Sequence, residues 1–198
     1  MGAYTRVATV AATLLCLGCS GPVVDTGEKP PATSTSTTPA PPPPQPSLVH
    51  LVNNFDYAAA QADGTTAYYF TSPSGRWRCA IVPRVTAGCQ TASQSALGIT
   101  GAPSTVPGTD GEASTPNVIE VPKEGEPRFS AVPGPAFARP DGTPVVLPFN
   151  RVLSVAGFRC NVQEESGVSC MSDKTTRGFT FSPEAFTWQY VDVPADAP

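Results

Sequence analysis

The chain has 198 residues, with 12 basic and 16 acidic side chains and a formal net charge of −4. Nucleic-acid-binding proteins cluster positive charge on the surface that meets the phosphates, so this weak acidity argues against a nucleic-acid partner. The balance points to no other partner class.

Residues 1–18 have the pattern of a bacterial export signal. Arg6 supplies positive charge before the apolar run Val7–Leu17, which is about half the length of a bilayer-spanning helix. The following Gly-Cys resembles the lipobox of bacterial lipoproteins, in which the cysteine is lipidated, although Cys16 stands where leucine is usual. The resemblance implies acylation (palmitate) of Cys19 and a cell-membrane anchor on the extracytoplasmic face. Cleavage with free secretion is the alternative.

Residues 19–47 are predicted to form a tether between this cysteine and the rest of the chain. The segment is rich in proline, threonine and serine and has no apolar periodicity, so it cannot bury enough surface to fold. Extended polyproline geometry at about 3.1 Å per residue gives a reach of roughly 80 Å. A ligand for aromatic-lined grooves is the alternative interpretation, and the threonine and serine run is a candidate for glycosylation.

Residues 48–198 have the length of one domain, and their pattern is mainly β. The predicted strands are short, rich in β-branched or aromatic residues and bounded by Gly or Pro. They are 66–72, 76–82, 117–122, 143–149, 151–162, 167–172 and 177–182. Short helical segments are predicted at 53–64 and 182–186. The low-complexity segment 93–117 is predicted to be disordered.

Four cysteines remain in this domain, and they form two equal intervals. Cys79 and Cys89 are separated by nine residues, as are Cys160 and Cys170. An even count in an exported chain indicates disulfides, and this interval places the two cysteines of a β-hairpin opposite each other when Gly167 takes a left-handed turn position. We therefore predict the bonds Cys79–Cys89 and Cys160–Cys170. The gaps are longer than the spacing of zinc ligands, so no metal is predicted.

The predicted fold is thus a small disulfide-stapled antiparallel β domain with two Cys-x9-Cys hairpins and one or two short helices. The stretches "YFTSPSGRWRCAI", "GVSC" and "GFTFSPEAF" resemble exported actinobacterial proteins, especially mycobacterial lipoproteins of the envelope. These share an F-x-S-P-S-G-x-x-x-C motif and a later G-V-x-C … G-F-x-x-S motif. The matching positions are Phe70, Ser72, Pro73, Ser74, Gly75, Cys79, Gly167, Val168, Cys170, Gly178, Phe179 and Ser182. The resemblance implies an exported domain and carries no assigned activity.

Arg76 and Trp77 depart from the usual residues of this family and belong to a basic, aromatic cluster. The cluster consists of Arg76, Trp77, Arg78 and Arg84. Trp and Arg are enriched at binding hot spots, so these four residues are the candidate binding site. The alternative is that Trp77 is a core residue, with Arg76 and Arg78 on the other face of the strand. Trp188 and Tyr190 are also predicted to be core.

The sequence contains no evident catalytic set. His50, the single histidine, is expected on the surface at the domain edge, and neither a G-x-S-x-G elbow nor an S-x-x-K pattern is present. Adjacent carboxylates are the remaining candidates for hydrolysis, although their loops favour solvated surface charge. They are Asp110 with Glu112, Glu124 with Glu126, and Glu164 with Glu165.

The sequence therefore predicts a non-enzymatic, membrane-anchored envelope lipoprotein with no cofactor. Its domain is expected to bind a cell-wall component or an envelope protein, or to serve a structural role. The alternative is a small cell-wall polymer hydrolase that uses paired carboxylates.

Overall fold

A computed structural model describes residues 48–198, whose regular secondary structure is almost entirely β-strand. Two 3-10 turns, Leu48–His50 and Asn54–Tyr57, come first. The strands follow in chain order as β1 Ala58–Ala60, β2 Thr66–Thr71, β3 Trp77–Val82, β4 Thr86–Thr91, β5 Val106–Pro107, β6 Ala113–Ser114, β7 Val118–Pro122, β8 Arg128–Ser130, β9 Arg151–Val155, β10 Phe158–Gln163, β11 Gly167–Ser172, β12 Gly178–Phe181 and β13 Phe186–Thr187.

Two antiparallel sheets pack face to face. The first has the order β1-β2-β3-β4-β7-β8 and the second the order β13-β12-β11-β10-β9, while β5 and β6 form a separate hairpin. One apolar core lies between the sheets and takes side chains from both, including Trp77 of β3 and Phe181 of β12, whose rings meet edge to face at 4.8 Å. Alternation along each strand sends every second side chain into this core.

Each sheet is organised around one disulfide-stapled hairpin, as predicted. Cys79 lies directly opposite Cys89, and Cys160 lies directly opposite Cys170. Both disulfides are formed, with Cα–Cα distances of 4.0 and 4.1 Å. Gly167 has the predicted left-handed conformation, with φ of 84°. All four cysteines belong to the intersheet core, so both disulfides lie in the interior of the sandwich.

The likeness between the two halves extends beyond the cysteines. In the first sheet each of the strands β2, β3, β4, β7 and β8 pairs with the next one in this series. In the second sheet the five strands β9 to β13 pair in the same sequential way. Strands β3 and β10 also share one burial pattern, in which the first, third, fourth and fifth residues are buried. This correspondence is consistent with a duplicated five-strand unit.

The outer face of the first sheet is covered by the segment 131–147, which we call the covering loop. Phe137 is buried against this face, where it lies over Gly88, and its backbone N–H donates to Gln90 Oε1 at 2.7 Å. Further along, the loop adds a parallel contact to the end of β2, because Thr71 N–H donates to the Val145 carbonyl and Leu147 N–H donates to the Thr71 carbonyl. Both faces of the first sheet are therefore packed.

Several predicted elements differ in the structure. Residues 53–64 form one 3-10 turn and then β1 instead of a longer helix, since the run of alanines pairs with β2. Residues 182–186 form the tight β12–β13 turn, which Ser182 N–H closes onto the Ala185 carbonyl. The predicted strand 151–162 is divided by a two-residue turn at Ala156 and Gly157, both with positive φ. The predicted strand 143–149 makes an isolated bridge only.

The expectation of disorder in segment 93–117 was wrong. This segment contains the small β5–β6 hairpin and inserts Leu97 and Ile99 into the intersheet core. Thr100 N–H also donates to the Pro183 carbonyl in the β12–β13 turn. Buried apolar residues and tertiary hydrogen bonds therefore hold in place a segment whose composition is mostly Gly, Pro, Ser and Thr.

Candidate functional site

A cleft opens between the two sheets at one end of the sandwich. Three turns form its walls: the β2–β3 loop at 72–76, the β10–β11 turn at 164–166 and the β12–β13 turn at 182–185. Its volume is about 330 Å³. The lining residues are Ser72, Pro73, Ser74, Arg76, Trp77, Phe149, Val162, Gln163, Glu164, Glu165, Gly167, Val168, Ser182, Pro183 and Glu184.

The floor of this cleft is apolar and aromatic. Trp77 is only 4% exposed, because Phe181 covers it from the core side and Arg76 covers it from the cleft side. The Arg76 guanidinium carbon lies 4.8 Å from the Trp77 ring centroid, which is a cation–π arrangement. Phe149 forms part of the wall and is partly exposed. A ligand that displaced the Arg76 side chain would therefore meet an indole face.

The β2–β3 loop is held by a hydrogen-bonded serine pair. Ser72 Oγ accepts from Trp77 N–H at 3.1 Å and lies 3.0 Å from Ser74 Oγ, while the Ser72 carbonyl accepts from Gly75 N–H at 2.8 Å. These bonds fix the loop that carries Arg76. The serines of "TSPSG" thus hold the loop itself in place.

The rim of the cleft is acidic. Glu164, Glu165 and Glu184 line it, and within residues 48–198 none of the three forms a salt bridge. Glu184 Oε2 instead accepts from the Ser182 hydroxyl at 2.7 Å. With Arg76 as the opposing cation, the rim carries a surplus of negative charge. It therefore offers carboxylate acceptors to hydroxyl, amide or ammonium donors of a ligand.

The structure brings the two sequence motifs together at this cleft. Ser72 and Ser74 come from the first motif, while Gly167, Val168 and Ser182 come from the second, and all five line the cleft. The segments are remote in sequence and meet because the β2–β3 loop and the β10–β11 turn lie at the same end of the sandwich. Sequence reasoning missed the contributions of Phe149 and Glu184, for which no motif gives a signal.

The predicted four-residue binding patch does not exist as one surface. Arg76 and Trp77 belong to the cleft, but Arg78 lies on the opposite face of the first sheet, beside the covering loop. Arg84 lies at the other end of the sandwich, in a depression of about 680 Å³ that Lys123 also lines. No aromatic residue lines this depression. Alternation along β3 and the length of the strand separate these side chains. Trp77 is a core residue whose exposure depends on Arg76.

The other candidate carboxylates are engaged elsewhere. Glu124 pairs with Lys174 and Glu126 pairs with Arg177, so these two ion pairs join the β7–β8 and β11–β12 loops. The hydrogen bond and the charge of Lys174 hold the pKa of Glu124 below its usual value. Asp110 accepts from Glu112 N–H within the β5–β6 hairpin. Only the pair Glu164 and Glu165 lines the cleft.

His50 and Trp188 also differ from their predicted surroundings. His50 is 2% exposed, because the 3-10 turn that contains it packs against β9, and its Nδ1 lies 3.4 Å from Arg151 Nη1. Trp188 is 42% exposed, at the edge of a cluster with Phe129 and Phe186. Burial of the phenol raises the pKa of Tyr190 well above its usual value.

Comparison of the chain with family models, curated proteins and solved structures found no significant match. Within residues 48–198 there is no helix of the length and apolarity needed to cross a bilayer. The same residues contain no group of three or more His, Cys, Asp or Glu side chains arranged to hold a metal ion. Cys19 and the predicted signal and tether segments lie outside the described residues.

Proposed function

We propose that this chain is an exported lipoprotein, anchored through Cys19, whose β-sandwich is a non-catalytic module that binds a cell-wall component or an envelope protein in the intersheet cleft. The observation that carries the proposal is the cleft itself, in which an apolar aromatic floor is combined with an acidic rim and one cation, Arg76. Binding sites in proteins characteristically combine an apolar lining with a few convergent polar groups.

The size of the cleft limits what it accepts. A volume of about 330 Å³ lies near the lower end of the range for small-molecule sites. It is suited to one sugar ring or one or two amino-acid side chains, with the remainder of a larger partner lying outside. Glu164, Glu165 and Glu184 then accept hydrogen bonds from the ligand's hydroxyl, amide or ammonium groups, and Phe149 packs against its apolar side.

A co-sedimentation experiment tests the binding function. The mature protein is incubated with isolated cell-wall, glycolipid and envelope-protein fractions, and the bound amount is compared among wild type, Phe149→Ala and Arg76→Ala. We expect retention by one fraction and a loss of about fivefold or more in affinity for Phe149→Ala, since truncation of a hot-spot residue costs more than about 1 kcal/mol. Arg76→Ala should bind at least as tightly as the wild type, because the ligand must displace the Arg76 side chain to reach the Trp77 ring. Arg84→Ala is the control, because Arg84 lies at the other end of the sandwich.

The membrane anchor is tested separately. Native protein is partitioned between detergent and aqueous phases, and the N-terminal peptide is examined by mass spectrometry. Acylated Cys19 in the detergent phase is the expected result, since two or more acyl chains give stable membrane binding. Recovery of the wild type in the aqueous phase with an unmodified Cys19 would refute the anchor without bearing on the cleft.

A hydrolase acting on wall polymers remains the second candidate, because Glu164 and Glu165 line the cleft. Release of soluble wall fragments that is abolished in Glu164→Gln or Glu165→Gln would favour this function. Glu124→Gln is the matched control, since Glu124 is an ion-paired carboxylate outside the cleft. Binding without fragment release favours the non-catalytic module.

A further inference from the structure

A second, much smaller cavity lies beneath the covering loop, on the outer face of the first sheet. Its volume is about 30 Å³, which is enough for one water-sized species and too small for an organic ligand. The lining residues are Tyr69, Phe70, Thr71, Arg78, Phe137, Ala138, Arg139, Gly142, Thr143, Pro144 and Val145. The cavity is therefore separate from the intersheet cleft, because the first sheet lies between them.

Positive charge at this cavity exceeds negative charge. Two arginines, Arg78 and Arg139, are among its lining residues. Arg139 Nε donates to the Asp141 carboxylate at 2.9 Å, whereas Arg78 has no salt bridge to any residue in the described range 48–198. Glu120, on the same face of the sheet, is bound by Arg128. One positive charge is left without a counter-ion.

Two buried hydrogen-bond donors at or beside the cavity have no partner. Arg139 Nη1 is buried and has no partner among the described residues. Gln90 is not among the lining residues, but it is fully buried next to Arg78 across the strand pair, and its Nε2 likewise has no partner there. The orientation of the Gln90 amide follows from Phe137, whose N–H requires an acceptor and therefore faces Oε1 at 2.7 Å.

Two backbone carbonyls at the cavity already accept a hydrogen bond. The backbone carbonyls of Thr71 and Val145 each accept a hydrogen bond, from Leu147 N–H and Thr71 N–H respectively. Buried donors without a partner are costly, so such groups are normally satisfied by water or an ion. A water molecule could accept from these donors but would leave the charge of Arg78 without a counter-ion. An anion brings acceptors only and also supplies the missing negative charge.

We propose that this cavity binds one small monovalent anion, with chloride as the probe, between Arg78 and Arg139. Charge-assisted hydrogen bonds from the guanidinium groups hold the ion. The site joins a strand of the first sheet to the covering loop, because Arg78 belongs to β3 and Arg139 to the loop. Anion binding therefore stabilises the docked position of the covering loop, independently of any ligand in the intersheet cleft.

The first test is the dependence of stability on chloride at constant ionic strength. The oxidised full-length chain is unfolded thermally in sodium gluconate that is replaced stepwise by sodium chloride, since gluconate is too large for the cavity. A ligand that binds only the folded state stabilises it by RT ln(1 + [L]/Kd), so we expect an unfolding temperature that rises with the logarithm of the chloride concentration once that concentration exceeds the Kd of the site. In Arg139→Gln and Arg78→Gln, loss of one charged donor should weaken chloride affinity about tenfold or more.

Arg84→Gln is the matched control, since it removes the same charge from a residue outside the cavity. It should respond to chloride as the wild type does. Equal chloride responses in the wild type and all three variants would show general charge screening and overturn the proposal, as would the absence of any response in the wild type.

The second test does not depend on whether a variant folds. Crystals of the wild-type protein grown in sodium bromide are measured at the bromine absorption edge. An anomalous peak between Arg78 and Arg139 is the expected result. A featureless cavity, or density with no anomalous signal, would identify a water molecule and overturn the proposal.

Discussion

Removal of one disulfide at a time is the most informative perturbation of this fold. Cys79 and Cys89 are ten residues apart, as are Cys160 and Cys170. On the chain-entropy relation, a closed loop of this length stabilises the folded state by about 2.7 kcal/mol through its effect on the unfolded chain. All four cysteines are fully buried, so replacement by alanine also removes the same pair of core sulfurs at each site.

The two double variants Cys79→Ala/Cys89→Ala and Cys160→Ala/Cys170→Ala should therefore lose similar stability. Urea unfolding of the oxidised proteins measures both the free energy of unfolding and its dependence on urea. We expect each variant to lose about 3 kcal/mol or more, with the excess coming from the core cavity. We also expect a steeper urea dependence, because an unfolded chain without the crosslink exposes more surface.

A large inequality between the two variants would refute this reasoning. If one disulfide contributed less than about 1 kcal/mol while the other contributed the expected amount, loop length would not be the controlling quantity. An unchanged urea dependence in both variants would equally contradict an effect on the unfolded chain.

Three further predictions test the packing. Gly167→Ala should lower the free energy of unfolding several times more than Gly157→Ala. Both glycines have positive φ, but an added Cβ at Gly167 would overlap the Phe181 carbonyl oxygen, whereas an added Cβ at Gly157 would meet no atom within 4 Å. Equal urea midpoints would contradict this. Phe137→Ala should lower the free energy of unfolding by about 3–5 kcal/mol or release the covering loop from the sheet. Amide hydrogen exchange over residues 131–147 detects that release, and unaltered protection from exchange would count against this prediction. The pKa of Tyr190 is raised mainly by burial. Its contribution to the free energy of unfolding is therefore intact below about pH 10, where unfolded tyrosine begins to ionise, and declines as the pH rises further. Tyr190→Phe should flatten that alkaline decline in stability.

The covering loop shows why part of this structure was not predictable. Its residues carry Pro, Gly and Asp turn signals, and the sequence gives no sign that Phe137 lies over Gly88 or that Arg139 meets Arg78. Gly88 leaves a gap in the outer face of the sheet that accepts the ring. Such a contact depends on complementary shapes of two remote segments, which no local pattern encodes.

The candidate site was likewise predictable only in part. Two of the four residues of the predicted cluster, Arg76 and Trp77, line the cleft, since an aromatic and a cation beside a stapled turn are a local signal. Their grouping with Arg78 and Arg84 was wrong, because proximity in sequence does not keep side chains on one face of a strand. His50 was assigned to the surface from its position at the domain edge, yet it is buried.

The sequence by itself determined the β class, the two hairpins and their disulfide partners. These follow from local alternation and from a loop length that places paired cysteines opposite each other, and both are properties of short segments. Only the tertiary structure decided which faces of the two sheets meet, how Leu97 and Ile99 anchor the 93–117 segment, and which turns share the cleft. The physical reason is that burial depends on remote parts of the chain. Whether a side chain lies in the core, in the cleft or in solvent depends on which distant segment packs against it.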